Sequence, residues 1–222
     1  MKATGKLVAL AVLVAAPLTA NAQDINFGAL DDGANRVSLT AGAEHGLSLG
    51  AGYARVVSVA DRELVVGGDL TLGWAEVDVD DFRLRGGLLA PIVSHGGWKV
   101  IGGLASTIRG TKNYAARMIN VGADVSVLAG HYARRWFVAG EVGFDWALAT
   151  HVDHSEAYRM EVYADARDGW YGNAGGNLRY GVQGGVSFGR NDVILRAGRM
   201  QDVAGNPAMI PFYATLTYGA RW

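Results

Sequence analysis

The chain has 222 residues, a formal net charge of −1 and no cysteine. Near-neutral charge gives no basis for a nucleic-acid partner, and the lack of cysteine excludes disulfides, thiolate catalysis and cysteine-ligated metal. With 32 Gly, only 4 Pro and a mean hydropathy of +0.12, it is too polar for a helical membrane protein and suits a single all-β domain.

Residues 1–22 read as a signal peptide. Lys2 and Lys6 supply the positive start, Leu7 to Ala16 the apolar run, and Ala20-Asn21-Ala22 a small-x-small cleavage site before Gln23. The run is too short to span a bilayer. Cleavage after Ala22 would export a chain that loses two lysines and no acids. Residues 23–35, with Asp24, Asp31 and Asp32, form a lead-in segment, for which the interior of the following domain is one destination.

From 36 to 222 the apolar residues recur at every second position between turn signals. Val37, Leu39 and Ala41 share one face. Leu47, Leu49, Ala51 and Tyr53 follow, then Leu64, Val66, Leu70, Leu72 and Trp74. The next sets are Phe82, Leu84, Leu88 and Ala90, then Trp98, Val100, Leu104 and Ile108, then Ile119 to Val127. Trp136, Val138, Val142, Phe144, Trp146 and Leu148 precede a long segment at 150–176. Leu178 to Phe188, Val193 to Ala197 and the last stretch complete about ten strands, or eight if the first hairpin does not form. Every second connection is short (60–62, 94–97, 130–135, 189–192), and the longest, 150–176 and 201–211, belong to the other set. Outward Trp98, Trp136, Phe188 and Trp222 adjoin the short turns; outward Trp74, Phe82, Trp146 and Phe212 adjoin the other connections.

The final stretch separates Phe212, Ala214, Leu216, Tyr218, Ala220 and Trp222 from Tyr213, Thr215, Thr217, Gly219 and Arg221, and it ends on an aromatic. It resembles the C-terminal strand of Gram-negative outer-membrane β-barrels. In architecture the whole domain is similar to small OmpA/OmpX-type barrels. The resemblance implies a transmembrane antiparallel up-and-down barrel with short periplasmic turns and one long exterior loop. It implies outer-membrane localisation, a lipid-facing apolar surface, a monomer, and engagement of the barrel-assembly machinery through the strand ending at Trp222. No cofactor is expected.

Fixing the outward set fixes the inward one. Arg36, Arg83, Arg85, Lys99, Arg109, Arg179, Arg196 and Arg221 point inward, opposed by Glu44, Asp69, Asp124, Glu141 and Asp145. In so narrow a barrel buried charges must be paired. A plugging ion-pair network is one reading, with inward glycines making room for long side chains. A narrow anion-leaning channel is the other.

The segment 150–176 gathers the candidates for chemistry. His151, Asp153 and His154 are of metal-ligand type; Asp153 with Glu156 also reads as a capping box before a short helix. Asp78 and Asp80 on one edge, with Asp153 and His154 on another, resemble in outline the omptin proteases. That implies a water-activating site, although no long strand extensions above the membrane are expected. His154-Ser155-Glu156 is similar to the His/Ser/Glu set of lipid A deacylases. Trp170 and Tyr171 are either an exposed aromatic anchor for a partner or packing on the rim. Three function classes follow: a structural or surface-interaction barrel, a channel, and an exterior hydrolase.

Overall fold

The computed structural model describes residues 24–44, 46–59, 62–74, 80–172, 175–203 and 207–222, with backbone alone at 207–210. The expected leader and Asp78 lie outside the described residues.

Strand β1 spans Asn35–Ala43, β2 Leu47–Val59, β3 Arg62–Gly73, β4 Phe82–His95, β5 Trp98–Lys112, β6 Ala116–Tyr132 and β7 Trp136–His154. A short helix α1, Glu156–Glu161, and strand β8, Gly169–Gly172, precede β9, Gly176–Phe188, β10, Asn191–Asp202, and β11, Pro207–Arg221. Each strand from β1 to β7 pairs antiparallel with the next, β7 pairs also with β9, β9 with β10, β10 with β11, and β11 with β1. The result is a closed ten-stranded antiparallel barrel, to which β8 adds only a flap on the far end of β7. Closure removes every sheet edge within the wall. The first hairpin forms in full register from Asn35↔Arg55 to Ala43↔Leu47, so the eight-stranded possibility is set aside.

The seam is held by the two ends of the wall. Asn35 N donates to Trp222 O at 3.0 Å, and Trp222 N donates back to Asn35 O at 3.1 Å. Short turns gather at that end. One of them, Gly96-Gly97 between paired His95 and Trp98, has φ of 56° and 86°, which only glycine adopts without strain.

Period-two alternation sets the two faces. Outward Leu39, Val142 and Leu195 are each more than half exposed, as are Trp98 and Phe212 at the two ends of the band. Phe82 is half-buried and lies over Gly110. Inward positions carry both the expected charges and an apolar layer that alternation did not single out. Val56, Val65, Leu89, Ile101, Leu128, Phe137 and Ile194 converge near the short turns, all 3% exposed or less.

Residues 24–34 fill the space inside that layer. Ile25 and Phe27 are 2% and 3% exposed, and Phe27 meets Tyr132 edge-on at 6.0 Å. Tyr132 in turn stacks on Phe137 at 5.2 Å. Several polar groups tie the segment to the wall. Lys99 Nζ donates to Phe27 O, Asn26 Nδ2 to Ala133 O and Ser187 Oγ, each at 3.0 Å, and Arg221 to Ala29 O. Gly28 lies so near the wall that a Cβ would come within 2.6 Å of Tyr132 O. Deeper still, Thr217 Oγ1 donates to Asp24 at 2.7 Å.

Candidate functional site

Above the apolar layer the lumen is crossed by ion pairs. Arg196 Nε reaches both carboxylate oxygens of Glu141 at 2.8 Å, and Tyr213 donates to the same carboxylate while its ring lies 4.7 Å below the guanidinium. Arg85 holds Asp69 at 2.8 Å, and Arg179 grips Asp124 through two nitrogens. Near the seam, Arg36 and Asp192 pair at 2.6 Å. The side chains of these four pairs are 6% exposed or less. Such groups persist inside a protein only because each desolvated charge faces its opposite.

The inward charges expected from the sequence form ion pairs, except Lys99, which donates to Phe27 O in the apolar layer, and inward glycines make room for long side chains. A Cβ at Gly143 would come within 2.6 Å of the Arg179 guanidinium, and one at Gly219 would collide with that of Arg36. One acid escapes the sequence reading: Asp192, counted there in a turn, shares the parity of Ile194 and Arg196 and points inward. Asp24 reaches the lumen with the lead-in segment.

Toward the long-loop end the pairs open into a mouth. Arg83 binds Glu44 at 2.8 Å, Arg109 binds Asp145 at 2.5 Å, and a cavity of about 450 Å³ lies between β2 and β7 with these arginines in its lining.

Beside the mouth rises a tongue. The sequence led us to expect no strand extension here, and the structure corrects this: β6 and β7 run on together to Ala116↔His154, and β8 pairs with β7 from Ala149 to Val152. A register shift between Val121 and Gly122 lets β7 carry one extra residue, which exchanges the faces of its last turns. His151 and Asp153 then share the outward parity of Arg117 and Ile119, whereas His154 lies on the opposite face. The three expected metal-ligand residues therefore do not converge, and no group of three potential ligands occurs among the described residues.

The pairing of Asp153 with His154 does not form either. His154 is instead held by Asp168, whose Oδ1 accepts from the His154 backbone N at 2.8 Å and lies 3.0 Å from its Nδ1; Arg159 takes the other oxygen. On the second edge, Asp80 is engaged by Arg117 at 2.8 Å and Lys112 at 3.4 Å. The helix cap is also relocated. Ser155, not Asp153, is the N-cap, accepting from Tyr158 N at 3.0 Å while donating to Tyr114 O at 2.7 Å. Trp170 meets His151 edge-on at 5.3 Å but stays 62% exposed, and Tyr171 donates to Arg167 O at 2.7 Å.

Asp168 thus fastens α1 and β8 to β7. The backbone N–H of His154, then Arg159, then the His154 ring hold its carboxyl well below the usual carboxylate range. A depressed carboxylate contributes its stabilisation fully above its unfolded pKa of about 4, and loses it as pH falls through the folded value. Hydrogen-exchange protection across 155–172 should therefore stay flat from about pH 7 to 5 and decline only in acid. Asp168→Ala should abolish that protection at neutral pH and leave the barrel strands unchanged. Equal protection in the variant would show that the clip fastens nothing.

The fold defines a closed antiparallel barrel with a filled lumen and an elaborated rim. Comparison with known protein families and with curated proteins finds no match. Among the described residues no helix is long and apolar enough to cross a membrane, which leaves open a crossing by strands.

Proposed function

We propose that the protein is an outer-membrane β-barrel of the small OmpA/OmpX type, exported by a signal peptide and closed to solutes, which acts as a structural or surface-interaction protein at its long-loop rim. The filling of the lumen carries this reading: an apolar layer with residues 24–34 inside it, then a belt of buried ion pairs. The outward apolar band, bounded at both ends by exposed tryptophans and phenylalanines, is what a bilayer core and its two interfaces would solvate. On this reading the short turns are periplasmic, the tongue is exterior, the barrel is a monomer, and Trp222 presents the terminal aromatic to the assembly machinery.

The refolded protein should be silent in a planar bilayer at low and high salt. Steady anion-biased steps that change with Arg83→Ala or Arg179→Ala would replace this reading with that of a channel. Fractionation to the outer membrane, with a mature chain beginning at Gln23, tests the localisation. A hydrolase finds little support in the geometry, since His154 and Asp153 face opposite ways and Asp80 is neutralised by two cations.

A further inference from the structure

The mouth of the lumen contains a feature that packing alone does not account for. Arg83 on β4 and Arg109 on β5 are direct cross-strand partners, both inward. Like charges placed opposite one another on a sheet repel; here Arg83 is offset by Glu44 at 2.8 Å with Asp69 further off at 3.8 Å, and Arg109 by Asp145. Neither guanidinium is saturated by this. In both, Nε is buried and without a hydrogen-bond partner. A buried donor left unsatisfied is costly, and a guanidinium presents its N–H groups in a planar fork that matches an oxyanion.

Both arginines line the cavity of about 450 Å³, a volume in the range of small-ligand sites. The rest of its inward lining is chemically distinct. Thr71 and Thr111 contribute hydroxyls that donate to Asp69 at 3.2 Å and Asp81 at 3.5 Å and keep their lone pairs as acceptors. The Asn120 amide spends its N–H groups on Ala149 O and Thr150 Oγ1, which leaves its carbonyl oxygen as an acceptor. Asp81 sits exposed at the rim, and no cation pairs with it among the described residues.

We infer that the mouth is a binding site for a small hydroxy acid, such as a sugar acid. Its carboxylate would bridge Arg83 and Arg109, and its hydroxyls would meet Asp81, Asn120 and the two threonines. A hydroxylated ligand suits this lining better than an ammonium-bearing one. Among the described lining residues the carboxylate without a cation, Asp81, is at the wet rim, where water screens it, and the threonine and asparagine groups are neutral donors and acceptors. The inference goes beyond the closed-barrel reading and is separable from it. Binding is measured in detergent without a bilayer, so a conducting barrel would not remove the site, and an empty site would not open the barrel.

The test is calorimetric titration of the folded protein with gluconate, beside acetate, glucose and inorganic phosphate. Gluconate should bind saturably, acetate and phosphate more weakly, and glucose not at all. Arg109→Leu should weaken gluconate by about tenfold or more, the equivalent of one charge-assisted hydrogen bond. Asp81→Asn should weaken gluconate while leaving acetate unchanged. Arg190→Leu, at the opposite end of the barrel, should change nothing. If Arg109→Leu does not refold, Arg109→Lys keeps the charge without the fork and should still lose most of the gluconate affinity. The inference is overturned if no acid binds saturably, if glucose binds as well as gluconate, or if both Arg109 variants bind like the parent. Each of those results would make the mouth a water-filled recess.

Discussion

Glu141→Ala should destabilise the barrel by about 3–5 kcal/mol, the cost of leaving a buried charge without its partner. Glu141 is 6% exposed and Arg196 2%, and the carboxylate is the acceptor for both Arg196 and Tyr213. Removing it strands a guanidinium in the middle of the lumen, where the next carboxylate, Glu44, lies 3.6 Å away and is already bound to Arg83. Urea unfolding of the refolded protein measures the loss. Replacing both partners with apolar side chains of similar volume, Glu141→Leu with Arg196→Met, should recover much of it, because the desolvation cost leaves with the charges. A single variant as stable as the parent would mean that water, rather than Glu141, satisfies Arg196, and that the belt is wet.

Phe27→Ala is expected to have an effect of the same size, again about 3–5 kcal/mol, from lost burial and the cavity left behind. The ring is 3% exposed and packs against Tyr132 inside a ring of aliphatic wall residues. The space cannot collapse readily, since a closed sheet holds its own diameter. The neighbouring backbone is fixed by Lys99 and Asn26, so the segment cannot slide to refill the gap. The same unfolding experiment reads it. A loss under about 1 kcal/mol would imply that residues 24–34 rest in the lumen without stabilising it.

The barrel itself was legible because alternation runs through much of every strand, and the final stretch shows it without interruption from Phe212 to Trp222. The filled lower lumen was harder to read, though its signal is present. Near each short turn the alternation gives way to consecutive apolar residues: Leu64-Val65-Val66, Leu88-Leu89-Ala90, Val127-Leu128-Ala129 and Val193-Ile194-Leu195. Such runs mark a strand with both faces out of water. Following only the outward members of each run left Val65, Leu89, Leu128 and Ile194 unassigned, and with them the apolar layer.

At the tongue the sequence reading failed for a different reason. One extra residue near Val121 and Gly122 changes the parity of everything beyond it, so His151 and His154 cannot be placed on faces by counting from Trp136. The partner of His154 is 14 residues further on, at Asp168, across a helix and a turn. No spacing rule connects such a pair. It exists only because β8 returns to β7.

The segment that fills the lower lumen is continuous with the first strand, and the strand that completes the wall is the last. The hydrogen bond from Thr217 to Asp24 joins residues 193 positions apart. Contacts of such sequence separation form late, because the loop entropy is lost before they can repay it. Filling and closure should therefore be coupled, with the slow step of folding expected at the meeting of the first and last strands.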